Sequence, residues 1–208
     1  MRINQLSIGK NQVMINENCP CKKRDCSRHG DCEVCRSYHI ASRSKKSIYC
    51  ERKILLRKFR KGDETAVSDV IRTTLSVSNS HDYPSEYIKD NIESHSPEIM
   101  AKKAMNSHFY VAADGKKIIG CGGITGYWGS KTESYLISVY VLPEYQKKGI
   151  GRKIIETLEA DEYFLRAWRT EVASFLTAVG FYRKMGYEYK NGIASPDEFG
   201  VIRLEKRK

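Results

Sequence analysis

Between Val139 and Arg152 the chain combines residue types that can hold a phosphate group. A β-branched strand stops at a proline, and residues 146–152 then read Gln-Lys-Lys-Gly-Ile-Gly-Arg. Two glycines let the backbone approach a ligand closely, and the first amides of the following helix, predicted at 153–158, lack partners and favour an anion. The lysines and the arginine add positive charge at the same point. The run therefore predicts a phosphate or pyrophosphate bound at a helix start.

A second group of chemically versatile residues lies near the N-terminus, where six of the seven cysteines occur at or before position 50. Zinc takes four thiolate or imidazole ligands in a tetrahedron, and short Cys-x2-Cys spacings supply ligand pairs. If residues 32–39 are helical, steps of three and four place three of these ligands on one face. The candidate zinc ligands, enough for one site with spares or for two sites, are Cys19, Cys21, Cys26, His29, Cys32, Cys35, His39 and Cys50.

The same segment carries nearly all of the net charge of +11. Residues 1–60 contain 15 Lys and Arg against 5 Asp and Glu, whereas residues 61–208 contain 21 against 20. This asymmetry leaves a nucleic-acid-binding finger as an alternative, although few aromatic side chains are available for base stacking. An iron–sulfur cluster is a further alternative, but the spacings fit no common pattern. We favour a structural zinc module, because so short a segment cannot bury enough apolar surface to fold without a metal or crosslink.

Strands and helices alternate along the rest of the chain. Val67, Val70, Ile71 and Leu75 share one face of a helix that Asp63 is placed to cap. Strands are predicted near 54–59, 109–113, 118–119, 135–141, 168–172, 187–189 and 201–204, and helices after 63, after 84, and at 97–105, 153–158 and 174–184. This order predicts an α/β (α+β) fold with a mixed sheet.

The length suits one ordinary domain with a smaller module. We expect a flexible leader at 1–18, a cysteine-rich, zinc-binding module at 19–50 and the main domain at 54–206. Cys121 lies alone in an apolar stretch and is predicted to be a buried free thiol. No apolar run approaches the ~18 residues of a membrane span, and no signal-peptide core is present. We therefore expect a soluble cytoplasmic protein with no membrane partner.

Two motifs resemble the GNAT superfamily of acetyl-CoA-dependent N-acetyltransferases. Residues 146–151 are similar to that family's Gln/Arg-x-x-Gly-x-Gly/Ala pyrophosphate loop, and the preceding strand and proline match in order and spacing. About thirty residues on, 178–187 (Ala-Val-Gly-Phe-Tyr-Arg-Lys-Met-Gly-Tyr) resembles the second motif of the family. The resemblance covers about residues 54–206. It implies a mixed, mostly antiparallel sheet flanked by helices.

The resemblance also implies roles for individual residues. The strand offers backbone groups to the pantetheine arm of acetyl-CoA, and the loop holds the pyrophosphate through backbone amides. Tyr182 falls where many members place a general acid that protonates the departing CoA thiolate. The implied cofactor-binding residues are Val139, Tyr140, Val141, Gln146, Lys147, Lys148, Gly149, Ile150, Gly151, Arg152, Ser174 and Ala178.

The chain departs from the family pattern at two positions. Many members carry an asparagine seven residues before the tyrosine, where this chain has Phe175. Some members place a catalytic glutamate in the strand before the loop, and residues 135–139 contain none. Glu133 lies just upstream and Glu171 ends the following strand, so these two are the candidate bases. We assign Glu133 as the catalytic partner of Tyr182.

The expected function is acetyl transfer from acetyl-CoA directly to an amine of a small molecule or a peptide. The variable stretches 75–96 and 126–133 are expected to build the acceptor pocket. The alternative is an acyl-CoA-responsive regulator, or a protein that binds nucleic acid or another partner through the basic zinc module. Nucleic acid is a possible partner but is not favoured.

Overall fold

The structure is a computed structural model of the chain, and it describes residues 23–41 and 54–208. The chain divides into two compact units, Met1–Lys53 and Ile54–Lys208. The predicted leader, residues 1–18, lies outside the described residues. So do three of the candidate zinc ligands and the side chain of a fourth, namely Cys19, Cys21, Cys50 and Cys32.

The described part of the first unit consists of turns followed by helix α1 (Cys32–Ala41). Asp31 begins this helix, because its side chain accepts a hydrogen bond from the Val34 amide at 3.0 Å. Cys35 and His39 are four residues apart in α1 and therefore lie on the same face of the helix. Within residues 23–41 and 54–208 there is no group of three or more His, Cys, Asp or Glu side chains that is arranged to hold a metal ion. A zinc module is thus not shown by these residues and stays a prediction.

Residues 54–208 build a seven-stranded sheet in the order β1-β2-β3-β4-β5-β7-β6. The strands are β1 (Leu55–Lys58), β2 (His108–Asp114), β3 (Lys117–Gly126), β4 (Glu133–Val141), β5 (Arg169–Ser174), β6 (Glu188–Tyr189) and β7 (Ile202–Arg207). Neighbouring strands are antiparallel except β4 and β5, which run parallel. The predicted mixed, mostly antiparallel sheet is confirmed.

Six helices of this unit accompany the sheet: α2 (Glu64–Thr74), α3 (Ser85–Glu93), α4 (Pro97–Met105), α5 (Ile150–Glu159), α6 (Glu162–Arg166) and α7 (Val179–Lys184). A π-helical turn, Leu75–Asn79, continues α2. The helix predicted from Ser174 is shorter than expected, because β5 extends through Ser174 and α7 begins only at Val179. Helix α6 was not predicted. In the part of the chain that the structure describes, no helix is long and apolar enough to cross a membrane.

The predicted core face of α2 is confirmed, since Val67, Val70, Ile71 and Leu75 are all buried, as is Cys121. Asp63 occupies the predicted N-cap position of α2, but its side chain makes no hydrogen bond to the helix. Its carboxylate instead binds Arg57 at 2.6 and 2.9 Å. The hydrogen bond from Arg57 lowers the pKa of Asp63.

Glycines in β3 allow α5 to pack very close to the sheet. A Cβ atom on Gly122 would lie 2.8 Å from Cγ2 of Ile154 and 3.3 Å from Cδ1 of Leu158. Both of these α5 side chains are fully buried. The absence of a side chain at Gly122 therefore determines how closely α5 packs on β3, and with it the position of the loop that precedes α5.

Candidate functional site

A cleft opens where β4 and β5 part. The two strands pair only between Glu133–Leu136 and Arg169–Val172. Further along β4 an extra residue interrupts the pairing with β3, and Ser138 adopts a left-handed φ of 49°. Within the described residues, β4 after Leu136 consequently has no strand partner on the β5 side. The cleft that results has a volume of about 770 Å³.

The structure brings most of the predicted cofactor residues together in this cleft. Those that line it are Val139, Tyr140, Val141, Gln146, Lys147, Gly149, Gly151, Arg152 and Ala178. Three others do not line it. Ile150 is in the core, the Ser174 hydroxyl is buried and donates to the Phe175 carbonyl at 2.9 Å, and Lys148 Nζ donates to the Glu144 carbonyl at 2.5 Å.

The loop between β4 and α5, together with the first turn of α5, has a backbone conformation that can bind an anion. We call the loop the anion loop and the anion site that it forms with the start of α5 the anion cradle. Lys147 and Gly149 have left-handed φ angles of 57° and 77°, and α5 begins at Ile150. The Lys153 amide binds the Gly149 carbonyl at 3.1 Å and closes the first helical turn. The amides before Lys153 therefore have no acceptor within the helix and can donate to an anion at the cleft.

Side chains around the cradle make the cleft positive. Lys147, Arg152 and Lys184 line it, whereas no Asp, Glu or His among the described residues does so. Lys184 was not predicted. Gly151 also allows close packing, because a Cβ atom there would lie 3.2 Å from the Phe181 ring. Charge and backbone together favour a polyanionic group at this end of the cleft.

Tyr182, on α7, also lines the cleft, although its side chain is only 4% exposed. It packs edge-on against Phe181 and Tyr187. Burial raises the pKa of its hydroxyl well above the ordinary value of 10, so the group remains protonated at neutral pH. Among the described residues no hydrogen-bond partner is found for this hydroxyl. It is therefore a donor available to a ligand in the cleft.

The two candidate bases lie elsewhere. Glu133 starts β4, six residues before Val139, or about 20 Å along an extended strand, and its carboxylate accepts a hydrogen bond from Arg169 Nε at 2.8 Å. Glu171 is 1% exposed and binds both Arg169 and Lys190 at 2.8 Å. Burial alone would raise the pKa of Glu171, but hydrogen bonds from Lys190 and Arg169 outweigh it and lower the pKa. The structure does not bring either carboxylate to the cleft with Tyr182.

Ser78 and Asn79, on the π-helical turn, are among the cleft residues that sequence reasoning missed. Gln146 Nε2 donates to Ser78 Oγ at 3.1 Å and to the Val141 carbonyl at 3.0 Å. Asn79 Nδ2 donates to Thr177 Oγ1 at 2.7 Å. The turn thus connects the anion loop with the segment after β5. In the sequence, the one signal for Ser78 and Asn79 is that two polar residues directly follow an amphipathic helix.

Of the two stretches that are expected to build the acceptor pocket, 75–96 and 126–133, only the first contributes residues to the cleft lining. Phe175 lines the cleft and packs edge-on against Tyr83, with ring centroids 5.2 Å apart, and against Tyr87 at 6.3 Å. The Tyr83 hydroxyl accepts from the Leu176 amide, one residue after Phe175. By contrast, no residue of the loop 126–133 lines the cleft.

Comparison with protein families gives one match. Residues 105–189 match the model of an acetyltransferase (GNAT) domain, and this stretch contains both the anion loop and Tyr182. A comparison with curated proteins finds no match.

Solved structures share the fold of about three quarters of this chain. The PaiA N-acetyltransferase from Thermoplasma acidophilum, solved in complex with coenzyme A, is 22% identical with a TM-score of 0.65, covering 75% of this chain and 99% of that one. The GCN5-related N-acetyltransferase from Rhodopseudomonas palustris is 18% identical with a TM-score of 0.62, covering 75% and 96%. An acetyltransferase from Streptococcus agalactiae is 13% identical with a TM-score of 0.57, covering 74% and 98%. The domain match thus covers residues 105–189, and the solved structures share the fold.

Proposed function

We propose that the protein transfers the acetyl group of acetyl-CoA directly to an amine of a small molecule or a peptide. One observation carries the proposal: a single cleft combines an anion cradle at the start of α5, a free strand edge on β4 and the protonated hydroxyl of Tyr182. These three features match, in order, a pyrophosphate, a pantetheine arm and a thioester that must lose a thiolate.

The residues present fit acetyl-CoA. The open amides of α5, with Lys147 and Arg152, suit the pyrophosphate, and backbone groups of Val139–Val141 suit the amides of the pantetheine arm. Acetyl-CoA supplies an activated acyl group whose transfer leaves a thiolate. The Tyr182 hydroxyl is placed to donate a proton to that sulfur, a role that general acid catalysis assigns to a positioned donor. With no carboxylate or imidazole among the described cleft residues, we propose that the amine loses its proton to water rather than to Glu133.

The function is tested by thiol release from acetyl-CoA in the presence of a panel of small amines and amino-terminal peptides. We expect release that depends on the amine, and weaker acetyl-CoA binding in Arg152→Ala than in Lys153→Ala, since Lys153 is exposed one position further along α5 and does not line the cleft. No turnover with any amine, together with tight and salt-sensitive DNA binding, would favour the regulator alternative instead.

We also propose that the N-terminal cysteines and histidines bind a structural zinc ion. Support comes from the residue types and from helix α1, which carries Cys35 and His39 on one face. Elemental analysis of the purified full-length protein tests this: we expect bound zinc that is reduced in Cys26→Ser and Cys35→Ser variants. Bound iron with visible absorbance would overturn the zinc assignment.

A further inference from the structure

Helix α2 does not stop at the cleft but widens into the π-helical turn Leu75–Asn79. Single π-turns within helices are rare and occur frequently at functional sites. This one delivers Asn79 to the cleft, where its side chain contributes to the lining although only 4% of the residue is exposed. A buried primary amide is thereby brought to the surface that a ligand would contact.

Only one end of this amide has a partner. Nδ2 donates to Thr177 Oγ1 at 2.7 Å, whereas Oδ1 accepts no hydrogen bond from the described residues. Rotating the Asn79 amide by 180° exchanges Oδ1 and Nδ2 but still leaves one end without a partner. A threonine hydroxyl both donates and accepts, so Thr177 would then donate to Oδ1 and leave the amide N–H groups unpaired. In either orientation a polar group of a nearly buried side chain remains for a ligand in the cleft.

The surroundings of Asn79 indicate which part of a ligand reaches it. The preceding residue, Ser78, accepts a hydrogen bond from Gln146 of the anion loop at 3.1 Å. Thr74, one helical turn earlier, has its hydroxyl oxygen 2.7 Å from the carbonyl of Val70 and 3.2 Å from the carbonyl of Val141 on the free edge of β4. Asn79 thus lies beside the route that runs from the anion cradle along β4.

The segment that follows β5 lies against Asn79. It presents an apolar side chain, Phe175, to the cleft instead of a hydrogen-bonding group. Thr177, the hydrogen-bond partner of Asn79, is two residues after Phe175, and both line the cleft. Phe175 occupies the position at which many members of the similar family carry an asparagine. Its side chain cannot form a hydrogen bond with an amide.

We infer that Asn79 binds an amide group of the pantetheine arm of acetyl-CoA and makes the polar contact that Phe175 cannot. The inference rests on the proposed function. A pantetheine arm contains secondary amides, each with one N–H donor and one carbonyl acceptor, so either orientation of the Asn79 amide has a complementary group. Asn79 acts on binding, and Tyr182 remains the proton donor.

The test is calorimetric titration of the full-length protein with two ligands, CoA and adenosine 3′-phosphate 5′-diphosphate, which keeps the pyrophosphate but lacks the pantetheine arm. We expect Asn79→Ala to weaken CoA binding about tenfold, as for the loss of one hydrogen bond, and to leave the second ligand unchanged. Thr177→Val, which removes the anchor of Asn79 but no ligand group on it, should weaken CoA binding less. Ser76→Ala is the matched control, because Ser76 is exposed on the same turn.

Three results would overturn the inference. Equal losses for both ligands in Asn79→Ala would show that the residue only supports the cradle. Unchanged CoA binding with an altered KM for the amine would assign Asn79 to the acceptor instead. Failure of the unsubstituted protein to bind either ligand would reject the proposed function itself, and the inference with it. Thermal unfolding of each variant verifies that it is folded at the temperature of the titration.

Discussion

Nη1 of Arg169 donates a hydrogen bond to Oε2 of Glu171 at 2.8 Å, and both side chains are buried in the sheet. Lys190 Nζ reaches the same carboxylate oxygen at 2.8 Å. One buried carboxylate therefore holds the segment that precedes β7 against β5. This arrangement explains why Glu171, a candidate base in the sequence, has a structural role in the fold.

Replacement of Glu171 by alanine should lower the free energy of unfolding by about 1.5–3 kcal/mol, because Arg169 and Lys190 lose a charged partner while Arg169 keeps its hydrogen bonds to Glu133 and Glu205. Urea denaturation measures the change. Glu188→Ala is the control, since Glu188 is exposed and its ion pair with Arg183 is worth about 0–1 kcal/mol. Similar losses in both variants would contradict a specific role for the buried pair.

Replacement of Tyr182 by phenylalanine should reduce kcat by about 10²–10⁴ while acetyl-CoA affinity stays the same, because only the proton donor is lost. Steady-state kinetics and calorimetry separate the two effects. Tyr187→Phe removes a hydroxyl from a second buried tyrosine that packs against Tyr182 but does not line the cleft, and it should keep kcat. Unchanged turnover of Tyr182→Phe at saturating substrate would exclude Tyr182 from catalysis.

Replacement of Gly122 by alanine should destabilise the protein by about 1–3 kcal/mol, because the added Cβ would lie 2.8 Å from Cγ2 of Ile154 and push α5 from the sheet. Gly180→Ala provides the opposite case. A Cβ on Gly180, within α7, meets nothing within 4 Å, so this variant should gain about 0.5–1 kcal/mol from helix propensity. Thermal unfolding of both variants measures the difference. A change in unfolding free energy of the same sign in both would contradict the packing account.

Stability should depend on pH through His95. Burial, with a smaller contribution from Lys103, lowers its pKa from 6.5 to about 4, so the unfolded chain binds a proton that the folded protein does not. The unfolding free energy should therefore fall by about 3 kcal/mol between pH 6.5 and pH 4. His95→Gln should remove that dependence, whereas replacing the exposed His81 in the same way should keep it. A flat profile in the unsubstituted protein would contradict the buried, neutral state of His95.

The parts of the fold that depend on local patterns were predictable from the sequence. Periodicity identified the buried face of α2, and glycines with a proline identified the anion loop at 146–151. Features that depend on contacts across the fold were not predictable. Asp63 binds Arg57 of β1 rather than its own helix, and Asn79 meets Thr177 almost a hundred residues later. Glu133 is close to the loop in sequence, but about 20 Å of extended strand separates it from Val139, the first residue of β4 that lines the cleft.

The central claim is tested most directly by incubating the full-length protein with acetyl-CoA and an amine panel, then measuring free thiol and acetylated amine together by mass spectrometry. The account predicts that the two products appear in equal amounts, only when an amine is present, and much more slowly with Tyr182→Phe. Thiol release that is independent of every amine, or the absence of both products despite measurable acetyl-CoA binding, would contradict it.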